Sequence, residues 1–341
     1  MRPLTVLASG MVTNIGLTGA ATRAALRAMV SNFAETRFLN DGAPQVGATV
    51  DLRPPYRGLP RLVHLVAPAI QECLAAVKWR PEHVPLLMCV SEAKRPGRPE
   101  DLDARILAEV GGALGVRFHA KSVVIARGRV GATVAVDLAR RLCAGDGVPG
   151  CLVAGTDSLL NASTLAEFGA RNRLLTEKNS DGFIPGEAGA AVILGPAAKA
   201  SAGHLVLRGV GLARESATID SEEPLRGVGL AAAVRGAMND GGVTLAVTDY
   251  RLTDLSGIQY YFKEASLALS RTLRQLKPEF RLWHTADCIG EVGAAIGPIV
   301  LGYAAAASSH GFAPGPGVLC HFSNEDDERA AMIWQTEQAG E

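Results

Sequence analysis

A cysteine near a histidine is the pairing that opens nucleophilic acyl chemistry, because an imidazole that takes the thiol proton leaves a thiolate able to attack a carbonyl. The chain offers it twice. His284 and Cys288 stand four residues apart with Asp287 between them, and Cys320 and His321 are adjacent. Neighbours on a strand point to opposite faces, which tells against Cys320 and His321 acting together. His284 falls at a strand end, where helical i,i+4 geometry does not apply. The remaining histidines, His64, His83, His119, His204 and His310, are scattered singly and read as solvated or hydrogen-bonded side chains. The six cysteines (Cys73, Cys89, Cys143, Cys151, Cys288 and Cys320) form no C-x-x-C pair, so a zinc knuckle or dithiol centre has no basis. In apolar surroundings they read as small buried hydrophobes. Glu325-Asp326-Asp327-Glu328 reads as a solvated acidic loop rather than a cation site. Gly111-Gly112 lacks the lysine and strand of a phosphate loop. The reading is of no metal and no cofactor.

Elements must hold such residues, and one stretch dominates them. Asn179-Ser180-Asp181-Gly182-Phe183-Ile184-Pro185-Gly186-Glu187-Ala188-Gly189-Ala190 runs from a polar turn through a Pro-Gly break into small residues. Gly186 and Gly189 permit backbone angles or approaches that a side chain forbids, and Ala190 to Leu194 has the composition of a strand buried on both faces. With 341 residues, 48% of them hydrophobic, the chain can bury a large core as one domain or two. Thirty-four basic residues balance thirty-four acidic ones and aromatics are scarce, which argues against nucleic acid or an anionic membrane as partner. The opening residues from Met1 to Leu17 place Arg2 before an apolar run, but Gly10 and Asn14 interrupt it, so it reads as a strand rather than a signal peptide. Val292 to Ala307 contains Pro298 and reads as a buried helix, not a membrane span. A cytoplasmic protein is expected.

Strands and helices alternate along the chain. Strands are expected at Leu4–Ala8, Val84–Val90, Ser122–Ala126, Cys151–Ala154, Leu205–Leu212, within Thr244–Leu255, and at Arg281–Thr285, Val318–Phe322 and Ala330–Trp334. Helices are expected at Thr18–Met29, Leu62–Val77, Asp103–Leu114, Gly131–Ala144, Leu230–Met238, Lys263–Leu276 and Gly293–Ala307. Gly10 to Gly16 reads as a loop, Phe33 to Pro60 as irregular, and Ala93 to Asp101 as an exposed loop. The alternation predicts parallel α/β layers, and the reprise after Gly203 suggests two similar halves.

The segment D-G-F-I-P-G-E-A-G-A-A-V-I-L, built on Asp181, Gly182, Gly186, Glu187 and Gly189, resembles the D-G-F-x-x-G-E-G-A-G segment of the β-ketoacyl synthases in the thiolase superfamily, with Ala188 at one glycine. The resemblance covers nearly the whole chain. It implies a thiolase fold in which two similar βαβ halves, residues 1–197 and 203–341, stack as α-β-α-β-α in one compact unit. It also implies a cysteine nucleophile at a helix N-terminus and two histidines. Aligning Ala139 to Asp146 with the end of the family's elbow helix places the elbow near 126–131 and the cysteine position at Gly128, or at Arg127 or Arg129 with a slip of one. The N-A-H-G-T motif aligns with Asp254-Leu255-Ser256-Gly257, which puts Ser256 where a histidine belongs. The G-H-x-x-G-A-A-G motif aligns with Gly290 to Gly297, which puts Glu291 at the other histidine, and the family's lysine falls at Ala286. The glycine-rich C-terminal loop aligns with Cys320 to Glu328 and has lost its glycines.

All three catalytic positions are thereby vacated, with Arg127, Arg129, Cys320, His321 and Phe322 around them. Arginines at a helix N-terminus oppose the macrodipole unless an anion is near, and one of the two is expected to pair with Glu291. The resemblance then implies a non-catalytic binding, adaptor or accessory subunit, of the chain-length-factor kind or of the thiolase-like kind accompanying type VI secretion cargo. A protein partner is expected, as a homodimer or a heterodimer with another thiolase-fold subunit, through the strand around Cys151 to Ala154. The alternative is a 3-oxoacyl-[acyl-carrier-protein] synthase-type acyltransferase using relocated residues such as Cys288 or Cys320.

Overall fold

The structure, a computed structural model, describes residues 3–145, 147–199 and 202–337. Asp146 of the elbow-helix alignment and residues 200–201 of the linker therefore lie outside the described residues. In chain order the elements are β1 (Leu4–Val12), α1 (Gly19–Arg27), β2 (Ala34–Asn40), β3 (Ala43–Gly47), α2 (Gly58–Val77), β4 (Leu86–Val90), α3 (Leu102–Leu114), β5 (Val123–Ala126), α4 (Gly131–Gly145), β6 (Cys151–Ser158), α5 (Ala162–Ala170) and β7 (Glu187–Pro196). The sequence continues with β8 (Leu205–Arg214), α6 (Val228–Gly241), β9 (Tyr250–Thr253), α7 (Gln259–Thr272), β10 (Arg281–His284), α8 (Ala286–Ile289), α9 (Ile296–Ser309), β11 (Gly317–Ser323) and β12 (Glu328–Thr336).

Ten strands run in the order β10-β9-β11-β12-β8-β1-β7-β6-β4-β5. Outward from the centre, β1-β7-β6-β4-β5 repeats as β8-β12-β11-β9-β10. The directions repeat too: the two innermost pairings of each half are antiparallel and the two outermost parallel. Across the centre the halves share only Thr5↔Val206. Apolar side chains pack across the join as well. The largest apolar cluster sets residues of α4 and α9 against inward faces of both halves, among them Val136, Ile299, Val153 and Met332. A second cluster packs α2 and α3 on the outer face of the first half, through residues such as Ile70, Ile106 and Met88. Two more pack α6 and α7 on the outer face of the second. The result is the five-layer α-β-α-β-α stack. Its middle layer explains α9, whose residues from Ile296 to Ala304 are all buried, as an all-round apolar helix requires. No helix among the described residues is long and apolar enough to cross a membrane.

Several expectations are corrected. The stretch expected to be irregular contains the β2–β3 hairpin, whose two-residue turn Asp41-Gly42 has φ of 51° and 81°. That is the left-handed geometry that an Asp-Gly turn supplies, and the dipeptide was visible in the sequence. Helix α5, capped by Asn161 accepting from Thr164 N at 2.9 Å, was not foreseen. Strand β1 runs into the first residues of the expected loop, ending at Val12, and the turn follows at Thr13 to Gly16. The loop from Ala93 to Asp101 is not wholly exposed: Arg95 turns inward, with 12% of its side chain accessible. Strand β6, which carries the expected dimer contact at Cys151 to Ala154, is paired on both sides by β4 and β7. It has no free edge to offer a second subunit; β5 and β10 are the strands at the ends of the sheet.

At one end of the stack the chain gathers. Ala197 N donates to Pro3 O at 2.8 Å, Gly203 N donates to Glu337 O at 3.0 Å, and Glu337 N donates to His204 O at 2.7 Å.

Candidate functional site

The turn between β5 and α4 forms the first wall of the site. A single 3-10 turn, Gly128–Val130, leads directly into the helix. Gly128 has φ 50°, and a Cβ built there would run into the Glu92 carboxylate. A side chain at this position would cost roughly 1–2 kcal/mol in backbone strain alone, besides displacing Glu92. On either side of it the arginines diverge. Arg127 is half exposed and pairs with Glu328, its Nε donating at 2.6 Å. Arg129 is buried, 8% exposed.

Arg129 and Ser256 converge on Glu291. Arg129 Nη1 lies 3.3 Å from Glu291 Oε2, and Ser256 Oγ donates to the same Oε2 at 2.8 Å. The expected arginine–Glu291 pair is thus present, made by Arg129 and not Arg127. Arg129 Nη2 donates to Tyr261 Oη at 3.2 Å, and Asp254 Oδ2 stands 3.8 Å from Arg129 Nε. Gly293 N donates to the second Glu291 oxygen at 2.9 Å. Carboxylates outnumber cations here, and the surplus tells. Burial pushes the Asp254 carboxyl up to about 7, with Glu291 adding to the rise while Arg129 and the Ser323 amide oppose it. Burial raises Glu92 as well, against the pull of Arg95.

The signature stretch builds the scaffold under this cluster. Glu291 N donates to Ile184 O and Gly186 N to Glu291 O, both at 2.8 Å, so residues 184–186 clamp the Glu291 backbone. Added bulk at Gly186 would strike Ile289 O at 2.5 Å. Asp181 Oδ1 accepts from Gln259 N at 2.6 Å, fixing the start of α7 three residues beyond Ser256. A Cβ at Gly182 would press on Leu174 and Leu175 backbone at 2.5–2.6 Å. Glu187, fully buried, holds Arg61 and accepts from Val50 N and Ser158 Oγ, each at 2.9 Å. At Gly189 a Cβ would collide with the backbone of Leu65, so the missing side chain is what lets α2 settle on β7.

Sequence reading missed four contributors. Asp157 accepts from Arg95 Nη1 at 2.8 Å and Ala294 N at 3.0 Å, linking the loop after β4 to the turn that carries Glu291. Glu92 fills the space beside Gly128. Asn324 ties the acidic loop to the elbow, donating from Nδ2 to Arg127 O at 3.1 Å and accepting from Val130 N at 3.4 Å. Tyr261 lays its ring 4.8 Å beneath the Arg129 guanidinium. Only a Glu following a strand and an Asp closing one marked the first two, which is too common a pattern to signal a site. The acidic loop itself is matched by arginines: Asp327 by Arg214 at 2.7 Å, and Glu325 by Arg171 and Arg173 at 3.7 Å.

The cysteine–histidine candidates do not assemble. Cys320 and Phe322 point into the central core, and His321 faces the other side of β11. Burial, with Arg251 nearby, pushes His321 down to about 3. His284 Nδ1 lies 3.4 Å from Asp287, while Cys288 is 2% exposed and its thiol is raised by burial. Cys89, under the elbow, is pushed up to about 12. Among the described residues no cluster of three or more His, Cys, Asp or Glu could hold a metal ion.

Duplicated strand order and five layers define a protein of thiolase-like fold. Solved structures agree. The chain is similar to a chain from the complex of a type II PKS acyl-carrier protein with its ketosynthase, at 13% identity and TM-score 0.82, covering 98% of this chain and 100% of that one. It is similar to a β-ketoacyl synthase from Burkholderia phymatum STM815, at 13% identity and TM-score 0.77, covering 99% and 100%. It is also similar to a chain from a ketosynthase in complex with its chain length factor from Xenorhabdus doucetiae, at 14% identity and TM-score 0.77, covering 98% of both. No protein-family model matches the chain, and no curated protein does. What the chain shares with these structures is the fold.

Proposed function

We propose that this chain is a non-catalytic protein of ketosynthase fold that works by binding, as an adaptor or accessory subunit. The observation that carries the reading is the filled site. Gly128 has no side chain, Glu92 occupies the space beside it, and Ser256 and Arg129 both bond to the same Glu291 oxygen. A thiolate attacking a thioester needs a sulfur, a proton acceptor and room for the acyl carbonyl. Gly128, Ser256 and Glu291 stand as vacated positions, and the ion pairs take up their space. All six cysteines are buried, which supports the absence of a substitute nucleophile.

Two forms of binding role are compatible with the fold: a chain-length-factor-like subunit paired with another thiolase-fold protein, and a thiolase-like adaptor that delivers type VI secretion cargo. Residues 1–197 and 203–341 then act as one compact unit, a homodimer or heterodimer in the cytoplasm. Incubation with an acyl thioester, followed by intact-mass measurement, tests the core of the proposal. No mass increase is expected; acylation of any cysteine would overturn it.

A further inference from the structure

We propose that the cleft between the β2–β3 hairpin and the start of α2 binds an amphiphilic anion, a molecule with a phosphate or carboxylate head and an apolar body. This inference does not rest on the adaptor reading. The cleft encloses about 870 Å3, within the roughly 300–1,000 Å3 of small-molecule sites. Five arginines line it against three carboxylates, and their pairings decide where the free charge lies. Arg61 is consumed by Glu187 and Arg95 by Asp157. Arg98 donates to Ser91 O at 3.2 Å and pairs with Asp103. Arg37 and Arg57 are exposed and make no ion pair among the described residues; Glu35 is the one carboxylate of the lining without an arginine partner.

Two further observations favour an anion. Arg95, which lines the cleft, leaves its Nε buried without a hydrogen-bond partner. Arg57 is the N-cap of a twenty-residue helix with no side-chain cap and no acidic residue in its first turn, so the positive end of α2 adds to the arginines. Arginine forks match the planar or tetrahedral oxygens of carboxylate and phosphate. The apolar part of the ligand has its own wall in Phe38, Pro55, Tyr56, Leu62 and Leu160. Tyr56 is braced by stacking on His64, ring centroids 3.7 Å apart. A polar head at the arginines and a chain along this wall satisfy both kinds of surface.

Calorimetric titration of the full chain with octyl phosphate, octanoate, octanol and octylamine tests the proposal. Saturable binding of at least one anion is expected, weaker in high salt, with octanol and octylamine giving none. Tighter binding of octyl phosphate identifies a phosphate head, and tighter binding of octanoate a carboxylate. The Arg37→Ala/Arg57→Ala variant should lose about tenfold or more in affinity, about 1.4 kcal/mol. A charge-matched control, Arg214→Ala/Arg281→Ala, changes exposed residues outside the cleft and should bind as the native chain does. Octanol or octylamine binding as tightly as the anions would overturn the proposal. So would equal loss in the control, native affinity in the cleft variant, or no saturable binding of either anion.

Discussion

Replacing Arg129 by Met keeps much of its bulk but strands Glu291 and Asp254 without their shared cation. Breaking a buried pair from one side costs about 3–5 kcal/mol, whereas replacing both partners with apolar groups is often neutral or better. Arg129→Met should therefore lower the urea midpoint sharply. Arg129→Met combined with Glu291→Leu should recover part of the loss, although Asp254 remains and Ser256 loses its acceptor. The measurement is a double-mutant cycle by urea denaturation; additive losses would show that the two side chains do not act as a pair. At this scale the sequence was informative. The resemblance to the synthase motifs put the Gly128 turn, Ser256 and Glu291 together and anticipated that Arg127 or Arg129 would pair with Glu291. Glu92 was out of reach, because its role depends on a through-space overlap with a residue thirty-six positions away.

At the scale of elements, the signature stretch does mechanical work: it clamps Glu291, pins the start of α7 and makes room for α2. Gly189→Ala would drive a methyl group into the Leu65 backbone, and overpacking of this kind costs about 1–3 kcal/mol. The expected outcome is a lowered thermal midpoint with the far-UV spectrum retained; an unchanged midpoint would mean that α2 can move off β7 freely. Strongly patterned elements were legible, among them α4, β7 and the β11–β12 pair, since burial on one or both faces writes a periodic signal. The hairpin and α5 were not read, because each depends on local turn and cap chemistry, Asp41-Gly42 and Asn161, within a stretch of weak periodicity. Arg95 was placed in solvent since its partner Asp157 lies on β6, sixty-two residues further along the chain.

Across the molecule, buried ionisable groups make stability depend on pH in opposing ways. Asp254 titrates near 7 in the folded chain, against an ordinary carboxyl value of about 3.9. The folded state holds that proton more tightly, so its contribution is full below about pH 4 and is lost as pH rises through 7. His321 runs the other way. With its folded pKa lowered to about 3, its contribution is present above about pH 6.5 and is lost as pH falls towards 3. The native profile should therefore be flattened between pH 4 and 6.5. Asp254→Asn exposes the carboxyl's share: the stability difference, native minus variant, should fall by a few kcal/mol from pH 4.5 to 7.5, measured as urea midpoints. A pH-independent difference would mean that Asp254 keeps an ordinary pKa. The junction where Pro3 and Glu337 bond to the flanks of the inter-half segment has a different consequence. Ala197 and Gly203 are six positions apart, a span of at most about 22 Å, so the beginning and end of the described chain lie within easy tethering distance. Synthesising the second half ahead of the first, with a short Gly-Ser bridge from 337 to 3 and an opening between 197 and 203, should yield the same fold by circular dichroism. The order of translation is incidental to this architecture; the wiring diagram is indifferent to where the thread is cut.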